Sequence, residues 1–183
     1  MYANPKDINS IDQHLNDHSA CIIQNCVKTH DIDLMHGRLR ATPRQKYKAQ
    51  KEQDGRYGLV HTAPPSMPIH YSLYPLRRSL STLFGLEQSR GVYIDLLYQS
   101  TPKVQQTGMD LHMDAPVQYT ILFPSINGAG ELDNRLYLED SDVMLGLDEV
   151  LVIAGSEGPY DPCYHGVEWS PEKRHSHLLV CYR

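Results

Sequence analysis

The second half of the chain is a series of short apolar runs divided by Gly, Pro, Asn and Asp. Residues 92–98, 117–123, 136–138, 143–147, 149–154 and 175–182 each read as a strand, and the stretch SINGAGELDNR at 125–135 reads as turns. Runs this short leave no room for helices of ordinary length. Their spacing between turn signals predicts a β-sandwich or barrel. The first half has a different texture. Leu73, Leu76, Leu80, Leu83 and Phe84 recur at helical spacing and stop at Gly85, which predicts one amphipathic helix. Residues 7–36 are mixed, with apolar pieces at 21–23 and 32–35 that predict a short helix and a strand, and TAPPSMP at 62–68 reads as an extended connector.

A length of 183 residues suits one domain. The expected layout is a single domain over 1–183, with an N-terminal extension at 1–90 and a β core at 91–183. Seventeen basic against 22 acidic residues give a net charge of −5, which argues against coating nucleic acid by bulk charge. No run approaches the roughly 20 apolar residues of a membrane-spanning helix. The first residues, MYANPKDINS, are polar, unlike a secretory or transit peptide. Cys21, Cys26, Cys163 and Cys181 form no C-x-x-C pair, so free thiols in a reducing compartment, cytoplasmic or nuclear, are expected. One stretch stands apart in charge. Arg38, Arg40, Arg44, Lys46, Lys48, Lys51 and Arg56 face only Glu52 and Asp54, with Tyr47 and Tyr57 interleaved. This run, 38–57, reads either as a solvated loop or hairpin or as a basic flap that meets an anionic substrate.

Three segments of the β half carry metal and anion chemistry: His112-Met113-Asp114, Tyr164-His165-Gly166-Val167 and Arg174-His175-Ser176. Alternate residues of a strand project to one face, so His112 and Asp114 are expected to project together, as are Arg174 and Ser176. Two imidazoles and a carboxylate occupy one face of an octahedral ion and leave three positions open, the arrangement of non-haem Fe(II) oxygenases. The planar guanidinium of Arg174 is suited to hold a carboxylate bidentately, and Ser176 adds a hydroxyl. Cys163, two residues before His165, reads as a small buried filler rather than a soft ligand.

On His112-x-Asp114, His165 and Arg174-x-Ser176, the sequence resembles the Fe(II)/2-oxoglutarate-dependent dioxygenases over roughly residues 90–183. The resemblance implies a mainly β double-stranded β-helix, or jelly roll, with a helical N-terminal part. It implies Fe(II) bound by His112, Asp114 and His165. It implies 2-oxoglutarate held by Arg174 and Ser176 with help from Tyr98, O₂ as oxidant, and hydroxylation of a C–H bond. A carboxylate at Asp114 favours hydroxylation over halogenation, since related halogenases keep a small residue there.

A finer resemblance is to the AlkB-like branch, which oxidises N-alkylated nucleobases. Ala41-Thr42-Pro43-Arg44-Gln45 is similar to that branch's nucleotide-recognition element, and a Pro-rich stretch and leucine-spaced helix follow it. It implies oxidative demethylation of a base in single-stranded or damaged nucleic acid, with Arg44 on a phosphate and Tyr47 or Tyr57 stacked on a base. The chain departs from that branch at Leu96, where an Asn is usual, and after Arg174, where the next Arg is the terminal Arg183. Two other readings stay open: a hydroxylase of a small metabolite, amino acid or protein side chain, and a cupin-like metal-binding domain with no oxygenase activity.

Overall fold

A computed structural model describes residues 1–41, 48–51, 57–62, 71–86, 93–99, 108–124, 126–127, 131–132, 134–169 and 175–182. Thirteen strands and three helices are found among them, in the order β1 (Tyr2–Ala3), α1 (Ile8–His18), β2 (Ala20–Ile23), α2 (Thr29–Ala41), β3 (Lys48–Lys51), β4 (Tyr57–Thr62), α3 (Tyr74–Leu83), β5 (Tyr93–Gln99), β6 (Gly108–His112), β7 (Tyr119–Leu122), β8 (Ile126–Asn127), β9 (Asn134–Leu138), β10 (Ser141–Val143), β11 (Val150–Ala154), β12 (His165–Trp169) and β13 (His175–Tyr182). The large sheet runs β1-β2-β11-β7-β13-β5-β4-β3, with β8 also paired to β13, and the small sheet runs β10-β9-β12-β6.

Burial along the large sheet shows how the layers stack. Strands β2, β7 and β11 are buried at every position. Their alternate residues feed two separate cores, as the period-2 geometry of a strand requires. Ala20, Ile22, Leu122, Leu151 and Ile153 pack with Leu136, Leu138, Val143 and Cys163 of the small-sheet side. Cys21, Ile23, Tyr119, Ile121, Val150 and Val152 pack instead with Ile11 and Leu15 of α1 and Leu76 and Leu80 of α3. The molecule therefore has three layers: small sheet, large sheet and helices. Two apolar faces on one strand explain why these runs look continuously apolar in the sequence rather than alternating.

The leucine-spaced helix is α3. Pro75 sits in its first turn, and Leu76, Ser79 and Leu80 line its buried face. Gly85, just past its end, has φ +63°, the left-handed conformation that a glycine adopts without a Cβ clash. Ser79 Oγ donates to the Pro5 carbonyl at 2.8 Å, which ties α3 to the N-terminal segment.

Two expectations are corrected. Besides α3, two further helices flank β2. Asp7 caps α1, its carboxylate accepting from the Ser10 N–H at 3.1 Å, and Ile11 and Leu15 anchor it. The pieces at 21–23 and 32–35 lie in β2 and α2, the strand and the helix expected over 7–36, so α1 is the added element. The strand expected over 143–147 is instead Ser141–Val143, because the chain turns at Gly146, whose N–H donates to the Glu149 carboxylate at 2.8 Å. Trp169 ends β12. The run 38–57 is divided between the end of α2, the β3–β4 hairpin, and residues 42–47 and 52–56, which lie outside the described residues. No described helix is long and apolar enough to cross a membrane.

Candidate metal centre

His112 is the last residue of β6 and His165 the first of β12, and the two are direct register partners. Cross-strand partners present their side chains on the same face. The imidazole centroids accordingly lie 4.4 Å apart, with their planes 49° from one another. Asp114 arrives differently from the sequence expectation. β6 ends at His112, so Asp114 joins the histidines from the turn beyond the strand and not by strand alternation. Its backbone is fixed in that turn by the Ser156 N–H, which donates to the Asp114 carbonyl at 3.3 Å. The following Ala115–Pro116 bond is cis.

Asp114 Oδ1 lies 3.8 Å from His112 Nε2, and Asp114 Oδ2 lies 3.8 Å from His165 Nε2. One ligand atom from each of the three residues falls within 4.8 Å of the others. The fit to a divalent cation is chemical as well as geometric. His165 Nδ1 is 3.3 Å from the Cys163 carbonyl, an acceptor that calls for the Nδ1–H tautomer and so leaves the Nε2 lone pair facing Asp114 and His112. Burial lowers the His165 pKa below the usual imidazole value. His112 adds to the lowering, and Asp114 and the Cys163 carbonyl oppose it. The neutral ring is the form that binds metal. His165 is nearly enclosed, at 5% side-chain exposure, while His112 is open at 36%, so the cluster has a wall and a mouth.

Two neighbours hold this arrangement. Thr120, fully buried on β7 of the large sheet, donates its hydroxyl to Asp114 Oδ2 at 2.6 Å. Gly166 follows His165, and the ring of Tyr137, its register partner on β9, lies in the space that a Cβ at 166 would need. Cys163 is buried in the inter-sheet core and does not join the ligand cluster. Burial first, then the negative charges of Asp114 and Glu139, push its thiol pKa up to about 12. Among the described cysteines, Cys21, Cys26 and Cys163 are free.

The other expected site residues are described less fully. Ser176 lies on β13 in register with position 98 of β5, so the backbone sets Ser176 and Tyr98 opposite one another on adjacent strands. Tyr57 opens β4. Arg174, Arg44 and Tyr47 lie outside the described residues. Thr120 is the functional candidate that the sequence did not reveal. It stands in an apolar run, and nothing in its spacing from Asp114 marks it.

No family model matches the sequence. No curated protein matches it either. Solved structures do. A prolyl-4-hydroxylase from Pseudomonas putida matches with a TM-score of 0.66 at 12% identity, covering 96% of this chain and 98% of that one. A prolyl hydroxylase from Trichoplax adhaerens, in complex with a hypoxia inducible factor oxygen degradation domain peptide fragment, matches at 0.60 and 16%, covering 98% and 90%. The dioxygenase for auxin oxidation 1 from Arabidopsis thaliana, in a binary complex with 2-oxoglutarate, matches at 0.67 and 15%, covering 98% and 89%. At these identities the likeness establishes architecture: the chain is a jelly roll of the kind seen in these hydroxylases and this dioxygenase, with His112, Asp114 and His165 gathered inside it.

Proposed function

We propose that the protein is an Fe(II)- and 2-oxoglutarate-dependent dioxygenase that hydroxylates a C–H bond. The observation that carries this reading is the convergence of His112, Asp114 and His165 on one point in a fold otherwise found in such enzymes. With Fe(II), 2-oxoglutarate and O₂ bound, the ion would supply the oxidising chemistry. The chain's own residues perform the rest. His165 is held neutral by burial and oriented by the Cys163 carbonyl, and Asp114 contributes the anionic donor. His112, on the open side, sits where substrate would approach. Arg174, Ser176 and Tyr98 are assigned to the far carboxylate of 2-oxoglutarate on their sequence pattern. Domain organisation is read as one catalytic unit over 1–183.

Anaerobic titration with Fe(II) and then 2-oxoglutarate tests this. A metal-to-ligand charge-transfer band is expected for the parent and not for Asp114→Ala. Zinc binding without any such band under Fe(II) would favour the cupin-like alternative and refute the oxygenase.

For the substrate, the Trichoplax neighbour with its bound peptide and the Arabidopsis auxin-oxidising neighbour favour a protein side chain or a small molecule. The nucleobase reading rests on Pro43-Arg44 and the basic run 38–57. Succinate formation measured against proline-containing peptides, small carboxylic acids and N-methylated oligonucleotides separates them. Turnover on the oligonucleotides alone would establish demethylation, and turnover on peptide or acid alone would exclude it.

A further inference from the structure

We propose that Thr120 is a positioning residue that sets the Asp114 carboxylate before metal arrives, an inference that rests on the metal-centre reading above. Among the described residues, the buried polar side chains are Asp31, Ser79, Thr120 and His165. Three have evident tasks. Asp31 accepts from the Ser72 hydroxyl, Ser79 bonds the Pro5 carbonyl, and His165 belongs to the cluster. Thr120 sits between Tyr119 and Ile121 on a strand whose other positions are apolar, where Val would fill the same volume. A hydroxyl taken out of water is unfavourable unless it is hydrogen-bonded, and Thr120 donates its hydroxyl to Asp114 Oδ2.

That bond does something the turn cannot. Asp114 lies past the end of β6, so no strand pairing constrains its side chain, and it is 18% exposed. Thr120 reaches it from the opposite sheet, on a strand paired on both sides, at Ile153 of β11 and Cys181 of β13. The β-branched side chain is stiff at χ1, so its Oγ1 is a fixed point. Using one lone pair of Oδ2 pins the carboxylate plane and leaves Oδ1, on the His112 side, open to the ion. Pinned ligands lose less freedom on binding, and losing such an outer partner typically weakens metal affinity about 10–100-fold.

The test compares the full-length parent with Thr120→Val, Thr120→Ser and Thr120→Ala by calorimetric titration with Co(II), the visible Co(II) spectrum and metal-free thermal unfolding. Thr120→Val keeps shape and removes the donor, so Co(II) affinity should fall about 10–100-fold and the spectrum should change. Thr120→Ser keeps the donor and should stay within about threefold of the parent. Thr120→Ala serves as the donor-free variant if Thr120→Val does not fold. A donor-free variant that folds and binds within about twofold of the parent overturns the proposal, as does Thr120→Ser binding as weakly as Thr120→Val. A parent that binds no Co(II) refutes the metal centre itself and Thr120's part with it. The parent's own titration distinguishes that failure from a failure of Thr120 alone.

Discussion

Replacing Gly155 by alanine tests how the turn carrying Asp114 is held. Gly155 follows β11, and its N–H donates to the Gln118 carbonyl at 2.9 Å, while the Glu157 N–H donates to the Val117 carbonyl at 2.9 Å. A Cβ at 155 would collide with the Val117 carbonyl oxygen and come within 2.6 Å of Val117 Cγ2 and 2.9 Å of the Val117 carbonyl carbon. Backbone is what it meets, so rotating a side chain cannot relieve the clash. The 117–118 segment has to move away from β11. Overpacking of this kind costs about 1–3 kcal/mol, and weakening the two backbone bonds adds about 1 kcal/mol. The expected loss is roughly 2–4 kcal/mol, within the 5–15 kcal/mol typical of a folded domain. The same displacement carries Asp114 away from the histidines, so metal affinity should fall as well. Urea unfolding of the metal-free protein measures the first effect and Co(II) titration the second. A Gly155→Ala protein within about 0.5 kcal/mol of the parent would show that the turn yields without cost and would refute the reasoning.

Three further outcomes are expected. Burial pushes the thiols of Cys21, Cys26 and Cys163 up to about 12, so at pH 8 only roughly one part in ten thousand of each is thiolate. Site-resolved mass spectrometry after brief alkylation should find these three unmodified in native protein and modified in denaturant. The folded-state pKa of His165 is lowered, so the unfolded chain takes up its proton first as pH falls through about 6.5. The stabilisation is therefore whole above that pH and lost below it, and the urea midpoint of the metal-free protein should fall from pH 7.5 to 5.5 by less in His165→Gln than in the parent; equal falls would contradict the shift. Leu80→Ala, at a fully buried position of the helix-side core, should cost about 2–5 kcal/mol, whereas Tyr71→Ala, at 74% exposure, should stay within about 0.5 kcal/mol by the same unfolding assay.

Legibility in the sequence followed the strength of the physical signal at each element. β11 was visible because VLVIA runs unbroken up to Gly155, β13 because of the apolar run at 178–181, and α3 because Leu73, Leu76 and Leu80 repeat before Gly85. Helix α1 escaped because its buried stripe is only Ile11 and Leu15 in a mostly polar segment. The strand β3, KAQK, has no apolar alternation to show. β12 was obscured by Gly166, which Tyr137 covers from the neighbouring strand. The metal ligands were legible because their residue types are rare in strand company. Thr120 was not, because a threonine in a strand ordinarily signals only β-propensity, and its partner lies across the sandwich.

The first two strands have a consequence for anyone trimming this domain. β11 is flanked by β7 on one side and β2 on the other, and β2 is in turn flanked by β1. A shortened version lacking residues 1–24 would leave the VLVIA strand with an open row of amides and carbonyls and with no α1 side chains over Val150 and Val152. Such a bare, sticky border invites a second molecule to zip onto it. The opening residues thus work as a hem, and truncation there is expected to yield self-associating material rather than a smaller soluble domain.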